Sequence, residues 1–216
     1  MAGENIVNAL SALLVVTSLF VVQERQPKRA ALLYGVQSFV LVSVFATLAF
    51  FSGTEELYLW ALSAFVTKTI LVPAILYCAL RQFDPVQQPP GSLSPSIAIA
   101  LAAVALVVSA AIVTPIHLPA SVAFKPALMV SLAHFFLGLA CIITQRNIVK
   151  QIFGYCLMEN GSHLTLALLA NQAPKLVEIG IATDAIFAVV VMTFFARRIQ
   201  ALLHSVDDRE LMTLKG

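Results

Sequence analysis

Charge is scarce in this chain. Asp, Glu, Lys and Arg make up 11% of its 216 residues, where a soluble domain carries about a quarter. That shortage excludes an ordinary water-solvated surface, because 60% hydrophobic residues at a mean hydropathy of +0.92 leave an apolar excess that has to face lipid. A net charge of +2 without a basic tail gives no footprint for a nucleic acid. Dinucleotide, phosphate-loop and metal-hydrolase patterns are missing, so no cofactor or metal is expected. The three cysteines, Cys78, Cys141 and Cys156, lie singly inside apolar runs without metal-ligand spacing. They are expected to be small buried apolar side chains. The N-terminus lacks a basic n-region and a cleavage site and carries Glu4. Its apolar stretch is therefore expected to be a retained helix rather than a signal peptide.

What the chain does have is apolar length. Runs at about 6–22, 30–52, 57–80, 96–114, 126–144, 148–170 and 176–198 each approach the roughly 17–25 residues that cross a bilayer. They predict an all-α membrane protein of about seven transmembrane helices. The segment 115–126, with three prolines, is expected to form an irregular surface crossing. The polar, proline-rich stretch Gln82–Pro95 is the one obvious boundary. Ten of the thirteen Lys and Arg residues fall on one side of the alternating helices, Lys125 and Lys175 on the other, and Lys68 inside a run. By the positive-inside rule the N-terminus is outside and the C-terminus cytoplasmic. Tyr58 and Trp60 fit an aromatic anchor on the outer side.

The two halves resemble each other. Gly35 and Gly154 both follow a basic cluster early in a helix, and Thr67-Lys68 and Thr183-Asp184 both precede an arginine, Arg81 or Arg197, by thirteen residues counted from the charge. The expected organisation is a first three-helix repeat (1–81), a linker with a fourth helix (82–125), and a second three-helix repeat with a cytoplasmic tail (126–216). The two repeats run parallel, joined by the extra helix.

Ionisable residues inside the runs carry the functional signal. Glu159 lies roughly 16 Å along the sixth run, close to mid-bilayer, where a carboxylate costs about 2.5–3.5 kcal/mol to insert. His163 follows at i+4 on the same face, so the two can share or pass a proton. Asn160 and Ser162 add polarity nearby, and Gly154 and Gly161 permit close helix approach. Lys68 sits near the centre of the third run, too deep to snorkel, with Pro73 five residues on as a source of a kink at Thr69. Asp184 occupies the seventh run, with Lys68 or Lys175 as candidate ion-pair partners, and His134 the fifth. Each of these also fits a purely structural role: a packing-locking pair for Glu159 and His163, a fixed ion pair for Asp184, a satisfied buried donor for His134.

Residues 145–165 carry a resemblance. Arg146-Asn147, Gly154, Met158, Asn160, Ser162 and Leu164 form a pattern similar to the first conserved helix of the small K-type membrane subunit of respiratory complex I. The last helix, with Asp184 thirteen positions before Arg197-Arg198, resembles that subunit's final one. In length, helix number and the stretch from Gln145 to Leu164 the chain is similar to the hydrogenase-4 component E family, a membrane subunit of formate hydrogenlyase-type nickel–iron hydrogenases. The resemblance implies a non-redox, multi-pass subunit of the bacterial inner membrane, without a catalytic site or cofactor of its own. Its implied place is between the hydrogenase arm and antiporter-like subunits, in a proton-transfer path. Asp184 falls on the second family carboxylate. The first falls on Cys156, with Glu159 three residues later, about one turn along a similar face. The expected proton carriers are Glu159 and Asp184, modulated by Lys68 and His163, with His134 as an extra link. The competing expectations are a stand-alone secondary ion transporter with a site at the repeat interface, and a structural scaffold held by buried pairs.

Overall fold

Every apolar run becomes a helix. The computed structural model describes the backbone of residues 2–81, 94–116, 124–169, 175–203 and 207, and the side chains of all of these but 2, 175–182 and 203. The helices are α1 (Ala2–Gln23), α2 (Pro27–Ser52), α3 (Glu55–Leu80), α4 (Pro95–Val113), α5 (Lys125–Thr144), α6 (Ile148–Leu169) and α7 (Lys175–Leu203). Among the described residues there is no strand, only an isolated bridge between Asn147 and Asp207. Residues 82–93 of the linker, 117–123 of the proline-punctuated segment with His117, the tail with His204, and the side chain of Lys175 lie outside the described residues.

Local chemistry sets the helix ends. Pro27 opens α2, and Gly53, at φ 68°, closes it in the left-handed region, its N–H donating to the Ala49 carbonyl at 3.0 Å. Ser94 precedes Pro95 and accepts from the Ile97 N–H at 3.3 Å, starting α4. Asn147 caps α6: its side-chain oxygen accepts from the Val149 N–H at 2.9 Å and its backbone carbonyl from the Gln151 N–H at 3.1 Å. Lys150, a turn further on and buried, closes the C-terminus of α1. Its ammonium donates to the carbonyls of Val21 (3.3 Å), Val22 (3.0 Å) and Glu24, satisfying acceptors that a helix end leaves open.

The expected kink in α3 takes the form of a π-helical stretch, Phe65–Leu71, immediately before Pro73. A proline ring conflicts with the carbonyl four residues back and supplies no N–H; the wider turn absorbs that mismatch. Lys68 lies in the middle of the stretch. Gly35 of α2 faces it, where a Cβ would stand 3.4 Å from Pro73 Cγ and 3.6 Å from the Thr69 carbonyl oxygen.

Among the described residues, six helices are long and apolar enough to cross a membrane, and α6 is not one of them. It is instead the most enclosed: fourteen of its twenty-two residues are buried, against five of nineteen in α4, so its polar residues are screened from lipid by its neighbours. It lies against α5 at backbone contact. A Cβ on Gly138 would come within 2.3 Å of the Met158 nitrogen, and one on Gly161 within 2.4 Å of the Phe135 nitrogen. Small residues are what permit such an approach between membrane helices.

The interior is layered. Val21, Tyr34, Leu76, Leu80, Ile152 and Phe153 belong to one apolar cluster. Val44, Phe45, Leu57, Trp60, Leu128 and Leu164 belong to another. On α1, α2, α3, α5 and α6 alike a buried polar residue falls between the two clusters in sequence: Ser18, Gln37 with Ser38, Lys68, His134, and Glu159 with Asn160. Five helices thus contribute to one polar layer near the middle of the bundle. Two single-residue expectations are corrected here. Trp60 is buried and packs edge-on against Phe45, centroids 6.5 Å apart, rather than anchoring at the interface. Cys78 is exposed, whereas Cys141 and Cys156 are buried as expected.

Candidate functional site

The polar layer is organised by Lys68. Its ammonium, a donor with no acceptor, donates to Glu159 Oε1 at 2.9 Å and to Asn160 Oδ1 at 2.8 Å. The side chains of Lys68 and Glu159 are 2% and 8% exposed, so the ion pair is a buried one. The π-helical turn of α3 presents Lys68 to consecutive residues of α6, and the glycine contacts hold α6 in place behind them.

From Lys68 the donor and acceptor roles follow in sequence. Because Asn160 Oδ1 accepts from Lys68, its Nδ2 points onward and donates to Gln37 Oε1 at 2.8 Å. Gln37 Nε2 then donates to His134 Nε2 at 3.1 Å. That leaves the proton of a neutral imidazole on Nδ1, which donates to Ser18 Oγ at 3.0 Å. The Ser18 hydroxyl donates in turn to the Leu14 carbonyl at 2.6 Å. Every hydrogen bond from the ammonium on α3 to the backbone of α1 runs the same way, and His134 is held as the Nδ1–H tautomer.

On the other side of Lys68 the arrangement is looser. His163 Nε2 stands 3.7 Å from Glu159 Oε1, close but beyond hydrogen-bonding distance. Glu159 Oε2, His163 Nδ1 and Thr69 Oγ1 are buried and have no hydrogen-bond partner among the described residues. Such groups are costly to leave unsatisfied in an apolar interior, which makes this side of the layer less well satisfied than the chain from Lys68 to Ser18.

The chemistry divides at Lys68. Lysine, glutamate and histidine exchange protons, and a 2.9 Å contact between Nζ and Oε1 is short enough for direct transfer. The side-chain amides of Asn160 and Gln37 have no titratable proton. They connect His134 to Lys68 by hydrogen bonds and separate the two as proton-binding groups.

Four of the five sequence-predicted site residues therefore come together: Lys68, Glu159, His163 and His134. The fifth, Asp184, stays outside the hydrogen-bonded set. It is exposed on α7. Of its two candidate partners, Lys68 is engaged by Glu159 and Asn160. Gln37, Ser38 and Ser18 were not foreseen. Gln37 is the one amide within the run 30–52, and that isolation, at a depth matching Lys68 and Glu159, is the signal that could have found it.

Comparison with known proteins adds the family. Hydrogenase-4 component E of Escherichia coli (strain K12) is 51% identical over the whole of both chains. Those of Escherichia coli O157:H7 and Shigella flexneri match to the same extent. An uncharacterized protein of Mycobacterium tuberculosis is 28% identical over 41% of this chain and 40% of its own. The family model for NADH-ubiquinone/plastoquinone oxidoreductase chain 4L matches residues 126–216. No solved structure matches the chain.

Proposed function

We propose, from the premise that this chain belongs to the hydrogenase-4 component E family, that its buried polar layer is a proton-transfer element of a membrane hydrogenase. The chain is a multi-pass protein of the bacterial inner membrane and a complex I-like membrane subunit of a hydrogenase complex. The finer role is that of a non-redox coupling subunit between the hydrogenase arm and antiporter-like subunits. Glu159 and Lys68 exchange a proton within the layer, and His163 takes it onward after a small rotation or through one water. Asp184, exposed on α7, hands it to or receives it from a neighbouring subunit. His134, behind two amides, positions the layer and biases Lys68 rather than carrying the proton.

The observation that carries this reading is the Lys68 ammonium bridging Glu159 and Asn160 between two apolar clusters. An ion pair held there brings no clear net stability, since desolvation offsets the attraction, so a task is the better account of its presence. The test is Glu159→Gln in the assembled complex, with hydrogen evolution or uptake and proton movement measured together. Loss of proton movement with assembly intact supports the proposal. Wild-type rates in both overturn it and favour a scaffold, which the ties among five helices would also serve.

A further inference from the structure

The C-terminal ends of α3 and α7 border a groove of about 780 Å³ that the polar layer does not use. Its deeper walls are apolar and come from both helices: Ile75, Val190 and Phe194, the last 65% exposed. Toward the helix ends it is lined by Arg81 of α3 and by Arg197 and Arg198 of α7, and no acidic residue lines it among the described residues. The dipole at the C-terminus of α3 accounts for Arg81, its C-cap residue, whereas Arg197 and Arg198 precede the last turn of α7 and lie beyond the reach of its dipole.

We propose that this groove binds an anionic diacyl phospholipid. The headgroup phosphate bridges Arg81 to Arg197 and Arg198 across the two helices, and one acyl chain lies on Ile75, Val190 and Phe194. The chemistry is matched at both ends. Guanidinium groups pair with phosphate through paired, charge-assisted N–H donors, and a hydrocarbon chain meets hydrocarbon walls. The volume lies within the roughly 300–1,000 Å³ typical of ligand sites. The groove also lies at the end of the bundle where the basic residues gather, the level at which headgroups sit. A lipid seated there ties α7 to α3 thirteen residues along from Asp184.

Cys78 lines the same groove and is exposed, which makes it a reporter. The intact hydrogenase complex is placed in nanodiscs of phosphatidylcholine with or without phosphatidylglycerol. Modification of Cys78 by a lipid-soluble maleimide is then followed by peptide mass spectrometry. Phosphatidylglycerol is expected to slow labelling. Each guanidinium near the surface contributes about fivefold to anionic-lipid affinity. The triple variant Arg81→Gln, Arg197→Gln, Arg198→Gln should therefore need on the order of a hundredfold more phosphatidylglycerol for the same protection. The corresponding triple lysine variant should keep most of it. Equal labelling with and without phosphatidylglycerol overturns the proposal, as does protection that persists in the glutamine variant or that inorganic phosphate reproduces. Protection already complete in phosphatidylcholine overturns it too, since a neighbouring subunit then covers the groove. If the triple variant fails to assemble, Arg81→Gln alone, expected to shift half-protection about fivefold, decides.

Discussion

Lys68 and Glu159 lie 91 residues apart in sequence and 2.9 Å apart in space, joined by a hydrogen bond between two side chains that are both almost wholly buried. Removing one partner leaves the other as an uncompensated charge in an apolar interior, at a cost of about 3–5 kcal/mol. Lys68→Met and Glu159→Met should therefore each reduce the amount of folded, assembled protein in the membrane. Replacing both at once should restore much of it, because no lone charge remains. The measurement is immunoblot abundance and thermal stability of the complex for the two single variants and the double. Recovery of abundance in the double variant, with proton movement still lost, separates the pair's chemistry from its packing. Strictly additive losses would show that the two side chains do not act as a pair.

Close packing behind the pair gives a second expectation. An alanine at position 161 would place its Cβ 2.4 Å from the Phe135 nitrogen, and one at 138 would place it 2.3 Å from the Met158 nitrogen. Backbone cannot yield as a flexible side chain does, so α5 and α6 must separate. Overpacking of a well-filled interior costs about 1–3 kcal/mol and sometimes more. Gly161→Ala and Gly138→Ala are each expected to lower thermal stability by several degrees. Gly53→Asn should be nearly neutral, because nothing lies within 4 Å of a Cβ there and Asn tolerates its φ of 68°. A thermal shift assay on the purified complex checks all three. A Gly161→Ala variant as stable as wild type would contradict the tight α5–α6 contact.

How much of this could be read from sequence follows from the range of the signal. Helix positions were legible because an apolar run of spanning length is a local property, and each described helix falls within a few residues of its run. The Glu159–His163 spacing was legible for the same reason. That Glu159 has Lys68 as its partner was not, since nothing in either run points to the other. Trp60 looked like an anchor because it lies near a helix start, yet the face of α3 that carries it packs against Phe45. Pro73 announced a disturbance at Thr69, but not that it would be spread over seven π-helical residues, Phe65–Leu71. Gln37 and Ser18 were passed over because neutral polar residues in apolar helices commonly bond their own backbone. Only the fold shows that they extend the chain from Lys68.

That chain makes a third prediction. Asn160→Leu removes the hydrogen bonds through which Lys68 sets the orientation of Gln37, leaving Gln37 Oε1 the longer bond from the Ser38 hydroxyl at 3.5 Å. Freed from them, the Gln37 amide can turn, and His134 is no longer confined to the Nδ1–H form. Nitrogen solid-state NMR of histidine-labelled protein should show one neutral tautomer for His134 in the wild type and a mixture in the variant. The accompanying loss of stability should be about 1–3 kcal/mol, the usual cost of unsatisfied buried polar groups. An unchanged tautomer would mean that Lys68 does not set it, and that Ser18, bonded to both Nδ1 and the Leu14 carbonyl, or Ser38, bonded to Gln37 Oε1, is enough to fix the ring.

Asp184 makes the last prediction, and it turns on exposure. The carboxylate lies within a helix segment apolar enough to cross the bilayer, Thr183–Leu202, yet it is exposed in the isolated chain. Facing hydrocarbon, a charged aspartate would cost about 2.5–3.5 kcal/mol, and among the described residues no hydrogen bond joins it to the layer to offset that cost. A polar surface supplied by a neighbouring subunit would remove the penalty and continue the path from Glu159. Asp184→Leu should therefore leave insertion and folding of the chain expressed alone unchanged or improved, because an unfavourable group has been removed. In the assembled complex the same variant should lose proton movement. Asp184→Glu, which keeps the carboxyl, should retain most of it. Protease resistance of the chain in membranes without its partners, set beside proton movement in the complex, distinguishes the two cases. If Asp184→Leu instead destabilises the isolated chain as much as Glu159→Met does, Asp184 is an internal structural group and the route out of the layer runs elsewhere.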